Sequence, residues 1–532
     1  MAENNGEQPK KKGLSKGIIA IIIAVIVLAG GGAAAFFLTA TSPKATFFQA
    51  EKNSVEQLQT FAETRYEGEF DWYEQSMENP ISQNATLGLN LEGLENENYI
   101  DPQIAAMLSN AELTLDTETD MQNQQAYMGL SVNAAGMNLD GIGGYVEGSD
   151  LYAELPFLEE VLQISDEDVG SVLAELDPYT FTGNEQIGME ELFFENNGQL
   201  LTEEEKEYLQ DEYLMFVYDE LPDEAFESEN EDVDVNGESI SAEKITMNLS
   251  EDEFKSVITS VLEKMKDDEE FQEILRNQFE RSASAPLQDP EVMQQQIDTM
   301  FAEFDTAIDQ GIEGVENFQF PDGVQSTLWV SDDKVVQREL ITSLAPEGEE
   351  PLTVNLSGGQ LLNDDQIYFD HTLTVGDENT EANIGFNGDF QGTGESVTDN
   401  ANLTFALDDG AAPVQFDATY TGDETLDGST RDFDRQFEFT VDNETVNLGW
   451  TGDSTYEGDQ MSANNNIAFS FPGYVDNVSM DVHSEGAVID AVEGVDTSNV
   501  VDLGAMSAEE LQQYFQGDFN SQFQQWLMEF AM

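Results

Sequence analysis

The 532-residue sequence contains no cysteine. Disulfide bonds, thiolate nucleophiles and cysteine-ligated metal sites are therefore excluded. The same absence excludes a lipid-modified N-terminal cysteine, so the chain is not expected to be a lipoprotein. Any stabilisation has to come from packing, hydrogen bonding and charge.

Basic residues are nearly as scarce. Eighteen Lys and Arg stand against 109 Asp and Glu, and the formal net charge is -91. Such a chain repels nucleic acid and anionic lipid head groups, so nucleic acid is excluded as a partner. Self-repulsion of this size destabilises a compact fold unless salt screens it, and the Debye length falls to about 3 Å at 1 M salt. We therefore expect adaptation to high salt, with counter-cations around the surface.

Residues 18–38 form an uninterrupted run of Ile, Val, Leu, Phe, Ala and Gly. As a helix this run would extend about 32 Å, close to the ~30 Å hydrocarbon core of a bilayer. It predicts a retained signal anchor, and it is longer than the apolar region of a cleaved signal peptide. The predicted anchor residues are Ile18, Ile22, Val25, Leu28, Phe36 and Leu38.

Four lysines precede this run: Lys10, Lys11, Lys12 and Lys16. By the positive-inside rule they place residues 1–17 in the cytoplasm and the remaining chain outside the cell. The predicted location is thus the cell membrane, crossed once, with an extracellular body.

Beyond the anchor, hydrophobic periodicity changes several times. Helical spacing from 44 to about 78 is followed by a β-meander and then by several amphipathic helices. From 321 onwards short alternating strands dominate until a C-terminal amphipathic helix. The sequence predicts a 44–320 region and a 321–532 β region, or one continuous domain. The predicted fold class is α+β: an N-terminal transmembrane helix, then a large, mostly antiparallel curved sheet with helices packed on it.

One segment matches the calcium loop of an EF-hand, with Asp232, Asp234, Asn236 and Glu243 as candidate ligands. The flanking apolar residues alternate as in strands, however, and Asn236-Gly237 is a strong hairpin-turn signal. The sequence favours the hairpin over the calcium site.

No pattern identifies an enzyme or a cofactor. The only histidines, His371 and His483, fall in separate strand-like runs. A Ser-His-Asp site needs only one histidine, but a histidine on a sheet face is far commoner. Carboxylate pairs carry no information among 109 acids. We expect no catalytic residues and no cofactor.

Three features resemble an uncharacterised family of membrane-anchored extracytoplasmic proteins of Gram-positive bacteria. They are the lysine-rich start running into 17–37, the segment 149–156 (SDLYAELP), and Val235-Asn-Gly-Glu followed by 244–254 (KITMNLSEDEF). The strand-and-turn style also looks like the half-barrel of lipoprotein carriers and lipid-binding lipoproteins. That second likeness implies a helix packed in the concavity of the sheet, with room for a lipid between them.

The function predicted from these features is non-enzymatic binding or scaffolding at the cell envelope. A first alternative is a carrier or sensor of a lipid or other apolar ligand beneath the curved sheet. A second is a carboxylate-based hydrolase. The predicted partners are a membrane through one helix, and an apolar ligand or envelope protein.

Overall fold

The computed structural model describes residues 42–91, 107–134, 137–195, 201–283, 287, 289–346, 348, 350–377, 380–408, 414–441, 444–473 and 475–530. The predicted flank 1–17 and the predicted span 18–38 lie outside these residues. Within the described part of the chain, no helix is both long enough and apolar enough to cross a membrane.

The dominant element of the described chain is one sheet of 21 strands. The strands are β1 Ile81–Asn90, β2 Glu112–Asp120, β3 Gln125–Ala134, β4 Met137–Glu147, β5 Asp150–Glu154, β6 Val161–Ser165, β7 Phe226–Val235, β8 Glu238–Leu249, β9 Phe318–Gln319, β10 Val324–Ser331, β11 Lys334–Pro346, β12 Leu352–Leu362, β13 Gln366–Gly376, β14 Glu381–Gln391, β15 Ser396–Asp408, β16 Val414–Asp427, β17 Thr430–Val441, β18 Glu444–Glu457, β19 Gln460–Phe471, β20 Val475–Val488 and β21 Val500–Asp502.

The ladders give the spatial order of the sheet. From one edge it runs β21, β6, β5, β4, β3, β2, β1, then β20 back through β19 to β10, and ends at β8 and β7. The two-residue β9 pairs with the last residues of β11. Every pair is antiparallel except β21 with β6. Short hairpin turns connect most neighbours, and left-handed residues such as Gly428 and Gly458 make such turns sterically possible. Strand β1 connects the N-terminal strands to the C-terminal strands, because it pairs with β2 on one side and with β20 on the other.

Eleven α-helices lie within the described residues: α1 Pro43–Arg65, α2 Glu67–Glu78, α3 Asp166–Leu176, α4 Glu203–Leu209, α5 Met215–Glu220, α6 Glu251–Asp267, α7 Glu269–Ala283, α8 Pro290–Ala302, α9 Phe304–Asn317, α10 Ala508–Tyr514 and α11 Asn520–Phe530. Several begin as the sequence pattern indicates. Ser250 and Glu253, for example, exchange both hydrogen bonds of a capping box at the start of α6.

The largest apolar core lies near the β7 end of the sheet. There α6 and α9 pack on β8 and β10, and Phe254, Ile258, Ile245 and Leu328 are almost completely buried. Phe47 and Phe48 of α1 enter the same core. The first turn of α1 is therefore fixed by hydrophobic burial.

From that core, α1 and α2 run across one end of the strands. Phe61 packs with Leu362 and Ile367 at the β12–β13 end, Arg65 reaches Asp399 on β15, and Trp72 lies against Gly486 of β20. We call α1 and α2 together the strap. The strap packs on one face of the sheet and covers only one end of the strands. We call this the proximal end; it is the end at which the β12–β13 hairpin lies, and the opposite end is the distal end.

The predicted fold class is wrong in its architecture. The described chain is built around one sheet that runs through both the 44–320 and the 321–532 ranges, and the strap crosses strand ends and leaves most of the sheet face uncovered. Alternating residues reveal strands, but they do not reveal that Ile81 pairs with Val488. Together with the pairing of β10 with β8 and of β21 with β6, this pairing merges the two predicted β regions.

Candidate functional site: an apolar band on one face of the sheet

The face that carries the strap is apolar along the distal part of its strands. In β14 to β17 the register aligns Ile384, Phe405, Phe416 and Val441 in one row across four strands. Because side chains alternate between faces with a period of two, the next residue along each strand points to the other side. Here that residue is usually Thr, Asn, Asp or Gly.

Similar rows continue from β12 through β20 to β1, β2 and β3. We call the residues of these rows the apolar band: Leu352, Leu356, Leu373, Ile384, Phe386, Leu403, Phe405, Val414, Phe416, Phe437, Phe439, Val441, Val446, Leu448, Ile467, Phe469, Met480, Val482, Leu87, Leu89, Leu113, Leu115, Met128 and Leu130.

The described chain leaves this band open to solvent. Phe386 is 46 % exposed, Leu403 40 %, Val441 47 % and Phe469 40 %. Twelve strands spaced about 4.8 Å apart make the band roughly 50 Å long, and four to six residues of strand make it about 13–20 Å wide. The resulting area, about 800 Å², exceeds the ~300–600 Å² of the largest patch on a typical soluble monomer, and patches of that size mark interaction sites.

A buried ion network bounds the band on the strap side. Arg65 Nη2 lies 2.6 Å from Asp399 Oδ1, and both side chains are 2 % exposed. Arg431 contacts Glu424 at 2.7 Å and Glu69 of the strap at 3.0 Å, and it also donates to the Arg65 carbonyl oxygen. Burial raises the pKa of Asp399, and the hydrogen bond and charge of Arg65 oppose that rise. The network thus fixes the strap to the sheet through paired charges.

Arg435 lies where the network meets the band. Its Nη2 is 2.6 Å from Glu424 Oε1, and its guanidinium stacks 4.4 Å from the Phe433 ring and 4.7 Å from the Trp450 ring. Guanidinium stacking on aromatic faces allows a charge to sit beside apolar surface. The change from charged to apolar surface is therefore abrupt.

His371 belongs to the same face, in line with Phe386. Its imidazole fills the space above Gly358, where an added Cβ would lie 2.2 Å from Nδ1. Nε2 is 3.2 Å from Gln360 Oε1, while the buried Nδ1 has no hydrogen-bond partner among the described residues. Burial, and then the charge of Arg338, lower the pKa of His371 to about 4.

Replacing His371 with glutamine should flatten the loss of stability on acidification. An unfolded histidine takes up its proton near pH 6.5, whereas folded His371 does so near pH 4. The stabilisation is present above pH 6.5 and is lost as the pH falls towards 4, by at most about 1.4 kcal/mol per pH unit. Urea titrations at pH 7, 6 and 5 should show a steeper fall for the wild type than for His371→Gln. His483→Gln, on the open polar face, is the control, and equal slopes in wild type and His371→Gln would contradict the argument.

Away from the β7–β8 hairpin, which packs over it with Val235, Trp329 and Tyr368, the opposite face of the sheet is polar and acidic. Asp423 lies directly opposite Asp434, and Asp432 opposite Asp453. Asp423, Asp434 and Asp453 accept hydrogen bonds from neutral side chains such as Asn464, and among the described residues none of the four aspartates forms an ion pair with Lys or Arg. A cleft of about 580 Å³ on this face is lined by residues that include Asn84, Asp116, Tyr127 and Glu485. The sheet therefore separates an apolar surface from a strongly negative one.

The structure places the other sequence-predicted residues apart from the band. Asp232 and Asp234 lie in β7 and Glu243 in β8, and Asn236-Gly237, both with positive φ, form the turn between these strands. This is the hairpin that the sequence favours, and the calcium site stays its less favoured alternative. His483 pairs with Asn464 on the polar face, seven strands away from His371. No group of three His, Asp or Glu side chains in the described chain could hold a metal ion. The anchor residues and the four lysines lie outside the described residues.

Comparison with known proteins gives no family. No protein-family model matches the sequence, and no curated protein matches it. Among solved structures, a loop-deletion mutant of OmpT, an outer membrane protein of Vibrio cholerae, has 9 % identity over 77 % of this chain and 98 % of its own, with a TM-score of 0.19. A BenF-like porin from Pseudomonas fluorescens has 7 % identity over 77 % and 98 %, TM-score 0.25. Pseudomonas aeruginosa OpdO has 6 % over 77 % and 95 %, TM-score 0.24. These scores are too low to assign a function.

The predicted family and location have to be corrected. No family model matches the sequence, so nothing supports a single-pass family of Gram-positive bacteria, and no helix of the described chain is long and apolar enough to serve as the single anchor. The prediction of a single-pass cell-membrane protein with an extracellular body, partnered by the membrane through one helix, is therefore wrong. The scaffolding function that rested on it is wrong as well. The carrier alternative required a ligand space enclosed under the sheet, whereas the band is open. The hydrolase alternative gains no support either.

Proposed function

We propose that this chain is a non-enzymatic protein that binds a lipid layer through the apolar band. The observation that carries the proposal is the exposure of the band: its aromatic and aliphatic residues lie on one continuous face that the described chain does not cover. Burying about 800 Å² of apolar surface at roughly 25 cal/mol per Å² provides a driving force of about 20 kcal/mol before the costs of binding.

Charge favours a neutral lipid layer over other occupants. With a net charge of -91, a second copy meeting the band face to face would bring two strongly negative chains together. Anionic head groups are disfavoured for the same reason. Zwitterionic lipid such as phosphatidylcholine offers hydrocarbon without a net negative surface.

The absence of cysteine allows a site-specific test in the full chain. An environment-sensitive fluorophore attached to Phe439→Cys reports on the band, and the same fluorophore on Glu438→Cys reports on the opposite face of the same strand. On addition of phosphatidylcholine vesicles, the label at 439 should shift to the blue and be quenched by lipid-borne quenchers. The label at 438 should change little.

Adding Phe386→Glu to the labelled Phe439→Cys chain places a charge in the same row of the band. The shift at 439 should then fall at least tenfold at equal lipid, while Asn387→Glu, on the other face of β14, should leave it within twofold. A label at 439 that stays in water would overturn the proposal. A shift that needs no vesicles and grows with protein concentration would overturn it too, in favour of self-association.

A further inference from the structure

We propose that the sheet lies flat on a single leaflet, with its strands parallel to the membrane plane and its polar face towards water. This inference rests on the proposed function and specifies how the same band meets lipid. Four features of the fold support it.

The first feature is the width of the band. Measured along the strands it is about 13–20 Å, whereas the hydrocarbon core of a bilayer is about 30 Å thick. On the proximal side the band ends at the ion network of Asp399, Glu424, Arg431 and Arg435. On the distal side it ends at exposed acids such as Glu381, Asp408 and Glu444. Strands standing upright would draw one of these charged ends into hydrocarbon.

The second feature is the opposite face. Asp423 and Asp434, and Asp432 and Asp453, lie directly opposite each other on it. Uncompensated carboxylates cost several kcal/mol each in a low-dielectric medium. This face therefore has to stay in water along the full length of the strands.

The third feature is the pair of open edges. Among the described residues, β7 and β21 each form a ladder on one side only. Unpaired backbone N–H and C=O groups at such edges cannot be placed in hydrocarbon, because each costs several kcal/mol there. In a flat orientation the β7 edge stays on the water side, because the β7–β8 hairpin packs over the polar face of the sheet, with Val235 against Gly359. The β21 edge lies at the level of the head groups, where water and polar lipid groups satisfy it.

The fourth feature is the strap, which lies on the same side of the sheet as the band. Its exposed side chains include Val55 at 50 %, Leu58 at 42 % and Phe70 at 45 %. A soluble helix normally turns such residues towards its core. In the flat orientation the strap meets the same leaflet as the band, so these residues are also in contact with lipid.

The test uses the two ends of β14. Glu381→Cys and Gln391→Cys are prepared separately in the full chain, and a maleimide that cannot cross membranes is added outside sealed phosphatidylcholine vesicles. Under conditions in which the label at 439 shifts to the blue, both cysteines should react from outside, at rates within about threefold of each other. A dye trapped in the vesicles should be retained.

Two results would overturn the flat orientation: protection of one strand end until the vesicles are opened, or loss of the trapped dye. In either case the label at 439 would still report lipid contact, so the proposed function would stand. A label at 439 that remains in water refutes the proposed function itself. The two failures are therefore distinguishable.

Discussion

Replacing Arg65 with methionine will lower the free energy of unfolding by about 3–5 kcal/mol, because the change leaves Asp399 charged and unpaired. Both side chains of this pair are 2 % exposed and 2.6 Å apart. Urea denaturation followed by circular dichroism at pH 7 measures the change. Since the pair joins the strap to β15, the same variant should also expose the strap to proteolysis.

Two further variants decide whether the cost comes from the unpaired charge. The double variant Arg65→Met/Asp399→Leu should recover much of the loss, since replacing both members of a buried pair with apolar residues is often neutral. Arg276→Met breaks an exposed ion pair with Asp298 and should cost less than about 1 kcal/mol. A loss at Arg65 no larger than that at Arg276 would contradict the assigned role of the network.

Added salt should raise the melting temperature up to the molar range, by on the order of 10 °C between 0.1 M and 2 M sodium chloride. At about 2–4 °C per kcal/mol this corresponds to roughly 3–5 kcal/mol of relieved self-repulsion. The Debye length falls from about 10 Å at 0.1 M to about 3 Å at 1 M, which screens the charges on the polar face from one another. Differential scanning fluorimetry over a salt series measures the slope, and a flat response would contradict salt adaptation.

The opposed aspartates localise part of this effect. Asp432→Asn/Asp434→Asn removes one member from each opposed pair, and like charges directly opposite each other in a sheet are destabilising by about 0.2–1 kcal/mol. The double variant should therefore melt higher than the wild type at low salt and converge with it at 2 M. An equal change on replacing the ion-paired Asp298 by asparagine would show that net charge alone is responsible.

The sequence predicts the local elements better than it predicts their assembly. Alternating residues indicate most of the strands, and pairs such as Ser250 and Glu253 mark helix starts, because these signals depend on neighbours a few residues apart. The pairing of β1 with β20 has no local signal. The predicted membrane anchor depends on the apolar run 18–38, which lies outside the described residues.

The apolar face that forms the band can be predicted from the sequence. Residues such as Phe386, Leu403, Phe416 and Phe439 alternate with Asn, Thr and Asp in successive hairpins, and this period predicts one apolar face. What alternation cannot show is whether another layer covers that face. Whether Phe386 and Val441 are exposed to solvent can be determined only from the positions of all neighbouring helices and strands. The ion network cannot be predicted from the sequence either, because Arg65 and Asp399 are more than 300 residues apart in the chain.

The position of β1 also sets the order in which this protein is able to fold. Ile81 leaves the ribosome early, but its partner Val488 follows roughly 400 residues later, and contacts of such sequence separation form slowly. Until then β1 and β20 each present an unpaired edge beside an apolar face, which is a template for aggregation. The repulsion among 109 acidic residues keeps growing chains apart during this interval. The negative charge that destabilises the folded sheet therefore also reduces aggregation of the chain while it is being synthesised.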